Sequence, residues 1–381
     1  MHGAKSIAIL TTENPMKICI LLSDITKVGG IERVTSTLVG EFNRETDIQI
    51  EILSIFKGRA QPAYQIPNNI KIHYLSEESH GAKPHSWKRA IKMFSLIFKL
   101  RKFLRSHWYD IIMVQSFPPT LLAFMANINQ KRTIAVEHVY AGYYGKVTNV
   151  VRDYVYSRLA KIIVLTSNDL KFFEERGLGT KTMVIPNPVL PSDKPKSECN
   201  AKRIISVGRL VSQKGYDNLI AIFKEVNRKH PDWILDIYGD GPLKEQLQQQ
   251  INDADLHPSI TLKGLSNHIP DELAKSSIFV LSSHFEGFPM VLIESMNQGV
   301  PCVSYDCPNG PGDIVKTGEN GILVPNQDKE AMVKALNRLI ENSNERKNYG
   351  HKAPNSVKHF AKELIAQKWI ELFKQIYSSN G

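Results

Sequence analysis

Two carboxylates eight residues apart, Glu286 and Glu294, mark the stretch of this 381-residue chain whose residue types could do chemistry. Glu286 follows the apolar run Ile278 to Leu281, which reads as a buried strand. Pro289, Met290, Val291, Leu292, Ile293 and Met296 then read as a helix with proline in its first turn, ended by Gly299 and Pro301. Glu286 therefore falls in a loop and Glu294 about a turn and a half inside the helix. A strand, a glycine-containing loop and a helix start form a natural anion site, because the first backbone N–H groups of a helix lack partners within it. Carboxylates do not hold phosphate, but they accept hydrogen bonds from hydroxyls. The two acids would flank such a site, which suits a ligand carrying both phosphate and polyol, such as a sugar nucleotide.

Cations sit at a matching place. Val207-Gly208-Arg209-Leu210 ends a strand-like run, and Lys214-Gly215 follows just before a helical segment. From one strand-to-helix loop, the planar fork of an arginine and the point charge of a lysine could neutralise a diphosphate. Isolated loop cations are more often simply solvated; the position at a strand end favours the ligand. Gly29-Gly30 opens a helix after the first strand, where glycines permit close backbone approach, although a tight structural turn explains the pair equally well. His138 is expected at the end of a strand from Thr133 to Val139, where an imidazole can donate to a sugar hydroxyl or move a proton. Asp253-Ala254-Asp255 has the spacing of a short metal-binding pattern, but it lies at a helix end and reads as coincidence.

These residues must be positioned by two alternating arrays. The chain is too long for one ordinary core and fits two domains of about 190 residues. Strand-like runs recur from Lys17 to Leu22, Ile48 to Phe56, Ile70 to Leu75, Asp110 to Gln115, Thr133 to Val139 and Lys161 to Thr166, with helical segments between. Residues 186–200 hold four prolines without periodicity, and the alternation restarts at Arg203. Such alternation predicts α/β domains with parallel sheets covered on both faces, and two in tandem predict a ligand cleft at the strand C-termini. The expected layout is a first α/β domain over 1–187, a linker over 188–200, a second α/β domain over 201–360, and a last helix over 361–381 with Trp369, Leu372, Phe373 and Ile376 on one side. Ile7 to Leu10 is too short for a secretory signal core, and residues 1–15 read as an extension. Cys19, Cys199, Cys302 and Cys307 are scattered, as in a chain whose thiols stay reduced.

The net charge is +10, and all of the excess falls before residue 188. Residues 83–105 hold eight Lys or Arg and no acid. At helical spacing Trp87, Ile91, Phe94, Ile97 and Phe98 share a face expected to pack on the domain, while Lys88, Lys92, Lys99 and Lys102 cluster opposite. That basic face fits an anionic membrane surface on the cytoplasmic side, with a solvated face as the plainer reading. Nucleic acid is disfavoured, since no recognition motif accompanies the charge.

Glu286 and Glu294 in E-x7-E spacing, Gly29-Gly30, Gly208-Arg209-Leu210 with Lys214-Gly215, Pro186-Asn187-Pro188-Val189 and Asn320-Gly321-Ile322-Leu323-Val324-Pro325 together resemble glycosyltransferase family 4. The resemblance covers nearly the whole chain. It implies the GT-B fold, two tandem doubly wound Rossmann-like domains with the last helix crossing back to the first, and a retaining hexosyl transfer without metal or other cofactor. It implies that Arg209 and Lys214 bind the donor diphosphate, with Gly29 and Gly30 near the phosphate and sugar. Glu294 would hold the ribose and Glu286 the transferred sugar. Amides after Gly287 and Phe288, in the segment Pro289, Met290 and Val291, would complete the pocket, and His138 would lie near the sugar. The donor implied is a UDP-linked hexose or N-acetylhexosamine, and the acceptor a saccharide, in one form polyprenyl-diphosphate-linked, for surface polysaccharide. Two competing readings are a UDP-sugar epimerase of the same architecture and a non-catalytic lipid-binding protein.

Overall fold

The computed structural model describes residues 15–77, 87–190, 192 and 195–380, with side chains in all of these except 87–93 and 380. Of the expected extension only Pro15 lies among them.

The apolar runs become two sheets. The first contains β1 (Met16–Leu22), β2 (Ile48–Phe56), β3 (Lys71–Ser76), β4 (Ile111–Gln115), β5 (Thr133–Val136), β6 (Lys161–Val164) and β7 (Thr182–Val184), in the order β3-β2-β1-β4-β5-β6-β7. The second contains β8 (Arg203–Val207), β9 (Ile234–Tyr238), β10 (Ile260–Gly264), β11 (Ile278–Leu281), β12 (Cys302–Tyr305) and β13 (Gly321–Val324), in the order β10-β9-β8-β11-β12-β13. β1 to β5 pair in parallel, as does the whole second sheet. Parallel strands need crossover connections and lie buried on both faces, which is why they read as unbroken apolar runs. Ile204, Ile205, Val280 and Val303 have no exposed surface. In each sheet the strand order reverses beside the first strand, at β1/β4 and β8/β11, so the loops leaving those strands diverge and open a crevice.

The crossovers are α1 (Gly30–Phe42), α2 (Trp87–Ser106), α3 (Phe117–Met125), α4 (Lys146–Arg158), α5 (Ser167–Glu174), α6 (Tyr216–Lys229), α7 (Lys244–Asp253), α8 (Ile269–Ala274), α9 (Met290–Asn297) and α10 (Pro311–Ile314), and after the last strand come α11 (Lys329–Glu341) and α12 (Ser343–Ser356). A final helix, α13, spans Lys362–Asn380. Side-chain oxygens of Thr166, Asp328 and Asn342 cap α5, α11 and α12 by accepting from free first-turn amides.

Two compact units result, one of Met1–Val136, Tyr154–Ile162 and Trp369–Gly381, the other of Glu137–Asp153 and Ile163–Lys368. The first has its own core on Leu21, Leu53, Leu100, Val114 and Leu122. The second has two clusters, around Ile220, Phe223 and Ile237, and around Phe279, Leu292 and Met296. The end of α13 belongs to the first unit, and the face that its amphipathic pattern marked is covered: Trp369, Leu372, Phe373 and Ile376 are all buried, and the Phe373 ring meets Phe42 edge-on at 5.4 Å.

Several elements depart from the sequence pattern. β5 ends at Val136, so His138 stands two residues beyond the strand. α9 begins at Met290, with Pro289 preceding it as the N-cap. Residues 186–200, read as a linker, pack in part: Val189 donates to the Phe360 carbonyl, and Cys199 is buried with its carbonyl bonded by Arg346. The four cysteines are buried free thiols. α2 is also turned from its expected orientation. Leu96 and Leu100 are buried, whereas Phe94 and Phe98 are exposed with Lys99 and Lys102. The leucine stripe packs into the core with Leu53, Val114 and Leu122, against α3 and β3, and the 3.6-residue period alone does not rank it above the Phe face. The Lys88 and Lys92 side chains lie outside the described residues.

Phe373→Ala should cost the first unit about 3–5 kcal/mol, the range for a large buried side chain. Urea unfolding followed by circular dichroism measures this; a midpoint unchanged from wild type would mean that α13 does not dock through this ring.

Candidate functional site

The loops leaving β8 and β11 carry the sharpest of the expected residues, and adjacency of those strands brings the loops together. Gly239, at φ +140°, lets the neighbouring turn lie against the Gly208 carbonyl, where a Cβ would collide. Leu210 N donates to the Asp240 carbonyl, which fixes the chain beside Arg209 and leaves that guanidinium exposed. Gly215, at φ +62°, turns the loop into α6 directly over the Ser282 carbonyl.

A seam of hydrogen bonds then fastens the two loops within the second unit. Ser282 Oγ donates to the Lys214 carbonyl at 2.9 Å, His284 N to the Gln213 carbonyl at 2.8 Å, and Gln213 Nε2 to the Phe285 carbonyl at 2.9 Å. This registration sets Lys214 Nζ 2.6 Å from Glu286 Oε1, which also accepts from Ser283 Oγ at 2.6 Å. Glu286 is 5% exposed, so its charge is held by a cation and a hydroxyl rather than by water. Glu286 N donates to the Pro308 carbonyl, tying in the loop after β12.

His138 reaches the same neighbourhood by its backbone. A Cβ at Gly287 would collide with the His138 carbonyl oxygen and lie 3.4 Å from Val139 Cα, so only glycine at 287 admits the loop after β5. That loop is anchored from below. Glu137 faces Arg152 at 3.6 Å with both side chains fully buried, and the Arg152 guanidinium packs over Phe173, 5.0 Å from its ring centre. Asp169 ties three segments together: its Oδ1 accepts from Ala141 N at 2.9 Å and from Asn309 Nδ2, and its Oδ2 from Thr166 Oγ1 at 2.8 Å. Burial raises the Asp169 carboxyl despite these donors. Ser167 makes two further bonds to Asp313, at 2.9 and 2.6 Å.

Glu294 lies on the half-buried side of α9 with Met290 and Val291, while Leu292, Ile293 and Met296 face the core. The helix start is less open than the sequence implied, since Met290 N and Leu292 N donate to the Phe288 and Pro289 carbonyls. In the first unit, Gly29 precedes α1 in extended backbone that any residue adopts; a side chain there would meet the Glu32 carboxylate. Gly30 faces open space. Beneath the pair, buried Asp24 accepts from Thr26 N, Thr26 Oγ1 and Gly58 N and so shapes the loop. Asp253 closes α7 while Asp255 takes a left-handed conformation beyond it, which splits that pattern across a helix end. Among the described residues, no group of three or more His, Cys, Asp or Glu is placed to hold a metal ion.

Sequence reasoning missed Gln213, Ser283, Asp169, Asn309 and Asp24. For Asp169 a signal existed, because Thr166-x-x-Asp169 before an apolar run is a helix-capping pattern. Asp24, Gln213 and Asn309 form partnerships across 34 to 140 residues that no local pattern announces, and Ser283 bonds Glu286 only three residues on.

Residues 28–192 match the family model described as Glycosyltransferase Family 4, and residues 192–356 match Glycosyl transferases group 1. An exopolysaccharide phosphotransferase of Streptomyces coelicolor is 30% identical over 95% of this chain, which spans 41% of that protein's length. The amylovoran biosynthesis glycosyltransferase AmsD of Erwinia amylovora is 27% identical over 93% of this chain and 99% of its own. A Campylobacter jejuni α-1,4-N-acetyl-D-galactosaminyltransferase, whose name specifies an undecaprenol-diphosphate-linked saccharide, is 24% identical over 95% and 99%. The solved structure of Anabaena HepE with UDP and glucose has the same fold, with a TM-score of 0.74 at 19% identity over 94% of this chain and all of that one.

Burial pushes the His138 imidazole from its ordinary 6.5 down to about 4. The folded chain therefore keeps it neutral where the unfolded chain protonates it. Its contribution to stability is complete above pH 6.5 and is withdrawn as pH falls from 6.5 to 4. His138→Gln should flatten that part of the urea-midpoint profile; variant and wild-type curves that stay parallel would assign the acid sensitivity elsewhere.

Proposed function

The chain belongs to the family 4 glycosyltransferases of the GT-B fold, and on that premise we propose that it moves a hexose or N-acetylhexosamine from a UDP-sugar to a saccharide acceptor, with retention at the anomeric carbon. The observation that carries this reading is the seam holding Lys214 on Glu286, with Arg209 exposed from the same loop. When the donor enters, its diphosphate competes for the Lys214 ammonium, and Arg209 supplies a second cation. Released from lysine, Glu286 accepts hydrogen bonds from sugar hydroxyls, and Glu294 does the same for the ribose. Gly29 and Gly30 approach the phosphate and sugar, and the backbone from Gly287 and Phe288 through Pro289, Met290 and Val291 closes the pocket.

In the transfer, the bond from the anomeric carbon to the phosphate oxygen breaks while the acceptor hydroxyl oxygen bonds to that carbon on the same face. The hydroxyl proton passes to the departing phosphate oxygen. Negative charge grows on the diphosphate, where fixed cations act without reorganising. His138, neutral at working pH, can donate to a sugar hydroxyl from the loop packed on Gly287.

The acceptor is a lipid-linked saccharide for surface polysaccharide. The amylovoran transferase and the undecaprenol-dependent Campylobacter enzyme support this choice, and UDP follows the ligand of HepE. The enzyme works at the cytoplasmic face of a membrane, drawn there by Lys88, Lys92, Lys99 and Lys102 at roughly 1 kcal/mol for each cation near an anionic surface. No described helix is long and apolar enough to cross a membrane.

A thermal-shift screen of UDP-, GDP- and ADP-sugars should single out a UDP-sugar, and Arg209→Ala should lower turnover by about 10²–10³-fold. Failure of every nucleotide sugar to bind would remove the proposal, and conversion of a UDP-sugar without acceptor would mark an epimerase instead. The anomeric configuration of the product, read by NMR, should match the donor and survive chelator. Changing Lys88, Lys92, Lys99 and Lys102 together to glutamate should depress transfer to a vesicle-borne acceptor far more than to a soluble one; equal effects would discard the membrane role.

A further inference from the structure

Beside the lysines of the membrane reading, the later turns of α2 carry aromatic rings to which that reading assigns no role. Phe94 and Phe98 are 61% and 68% exposed. At 100° per residue they share one stripe with Lys102 and Arg105, while Leu96, Leu100 and Phe103 lie on the opposite side. Two residues past the helix, Trp108 is 66% exposed, and the Arg132 guanidinium stacks 4.3 Å from its ring centre. Neighbouring exposed aromatics signal contact with something apolar. The sequence of α2 holds Lys88, Arg89, Lys92, Lys99, Arg101, Lys102 and Arg105 and no acid.

Beside this stripe is a cavity of about 170 Å³, lined by Arg101, Arg105, His107, Trp108, Asn127 and Asn129 with apolar residues behind them and no carboxylate. Arg101 Nε is buried without a hydrogen-bond partner among the described residues. The nearby acid Asp110 is committed, accepting from Lys17 N at 2.9 Å and facing Arg132 at 3.7 Å. A desolvated guanidinium N–H lacking an acceptor is costly, and an anionic oxygen in the cavity would satisfy it.

We propose that this cavity binds the phosphate of an anionic membrane lipid through Arg101 and Arg105, while Phe94 and Phe98 enter the acyl boundary of the same leaflet. A leaflet presents anionic oxygens above an apolar layer, and the face presents cations around protruding rings, so charge and polarity match by depth. The inference rests on the membrane reading above and deepens it. Attraction by cations alone vanishes at high salt, whereas ring insertion and a phosphate in a cavity survive it.

Co-sedimentation of the full chain with phosphatidylglycerol-containing and pure phosphatidylcholine vesicles, at low and high salt, tests this. Wild type should prefer the anionic vesicles and keep a salt-resistant fraction. Phe94→Ser with Phe98→Ser should lose about tenfold or more of the binding, including that fraction. Arg101→Gln should lose the preference for anionic lipid, and inorganic phosphate should compete with wild-type binding more strongly than chloride of equal ionic strength. If Arg101→Gln fails to fold, that competition on wild type decides the cavity. Binding abolished by salt, or unchanged in the double Phe variant, overturns insertion; phosphate no better than chloride overturns the cavity. Thermal stabilisation by phosphate without vesicle binding assigns the cavity to a soluble anion and overturns the lipid. Transfer to a soluble acceptor separates the two readings: activity without vesicle binding sinks this inference alone, and UDP-sugar binding that never occurs sinks the transferase.

Discussion

A buried carboxylate cannot stand in a protein without a partner, and the Glu286 site follows from how that demand is met. Glu286 is nearly inaccessible, so its charge must be balanced inside the fold. Lys214 balances it from another loop, and the two meet at 2.6 Å only because three further hydrogen bonds hold the loops in register. That register depends in turn on β8 and β11 being neighbours, on Gly215 turning in a left-handed conformation over Ser282, and on Gly239 lying flat against Gly208. A larger residue at either glycine would push the loops apart and strand a charge.

The same economy governs the loop of His138. It has no regular structure of its own after β5 ends at Val136, yet it is fixed from two sides. Gly287 allows close backbone contact above, and Asp169 gathers Ala141, Thr166 and Asn309 below. Desolvation of the imidazole is a consequence of that packing. Residues distant in the chain therefore set the environment of this imidazole.

In the first unit the physics is of another kind. Its cationic excess concentrates on a helix whose leucine stripe is covered and whose Phe94 and Phe98 are not. Buried surface there stabilises the fold, while the exposed rings and the cavity at Arg101 have no such role within the chain. A surface of this composition is stable in water only because the leucine side of α2 already anchors it to the sheet.

The sequence by itself determined the alternation of strands and helices, hence two parallel sheets, because residues buried on both faces must be apolar without interruption and crossovers must be amphipathic. It also determined the face of α13 and singled out Arg209, Lys214, Glu286 and Glu294 as candidates, since strand ends, glycines and helix starts are local signals. Tertiary structure alone decided that Lys214 is bonded to Glu286, that Ser283 and Gln213 hold the pair, and that Asp169 binds Asn309 140 residues away. It also decided which side of α2 is covered, because periodicity defines a helix's faces but not the groove that receives them. Local sequence encodes conformation through sterics and burial, whereas partnership between distant loops follows only from the order in which strands are laid side by side.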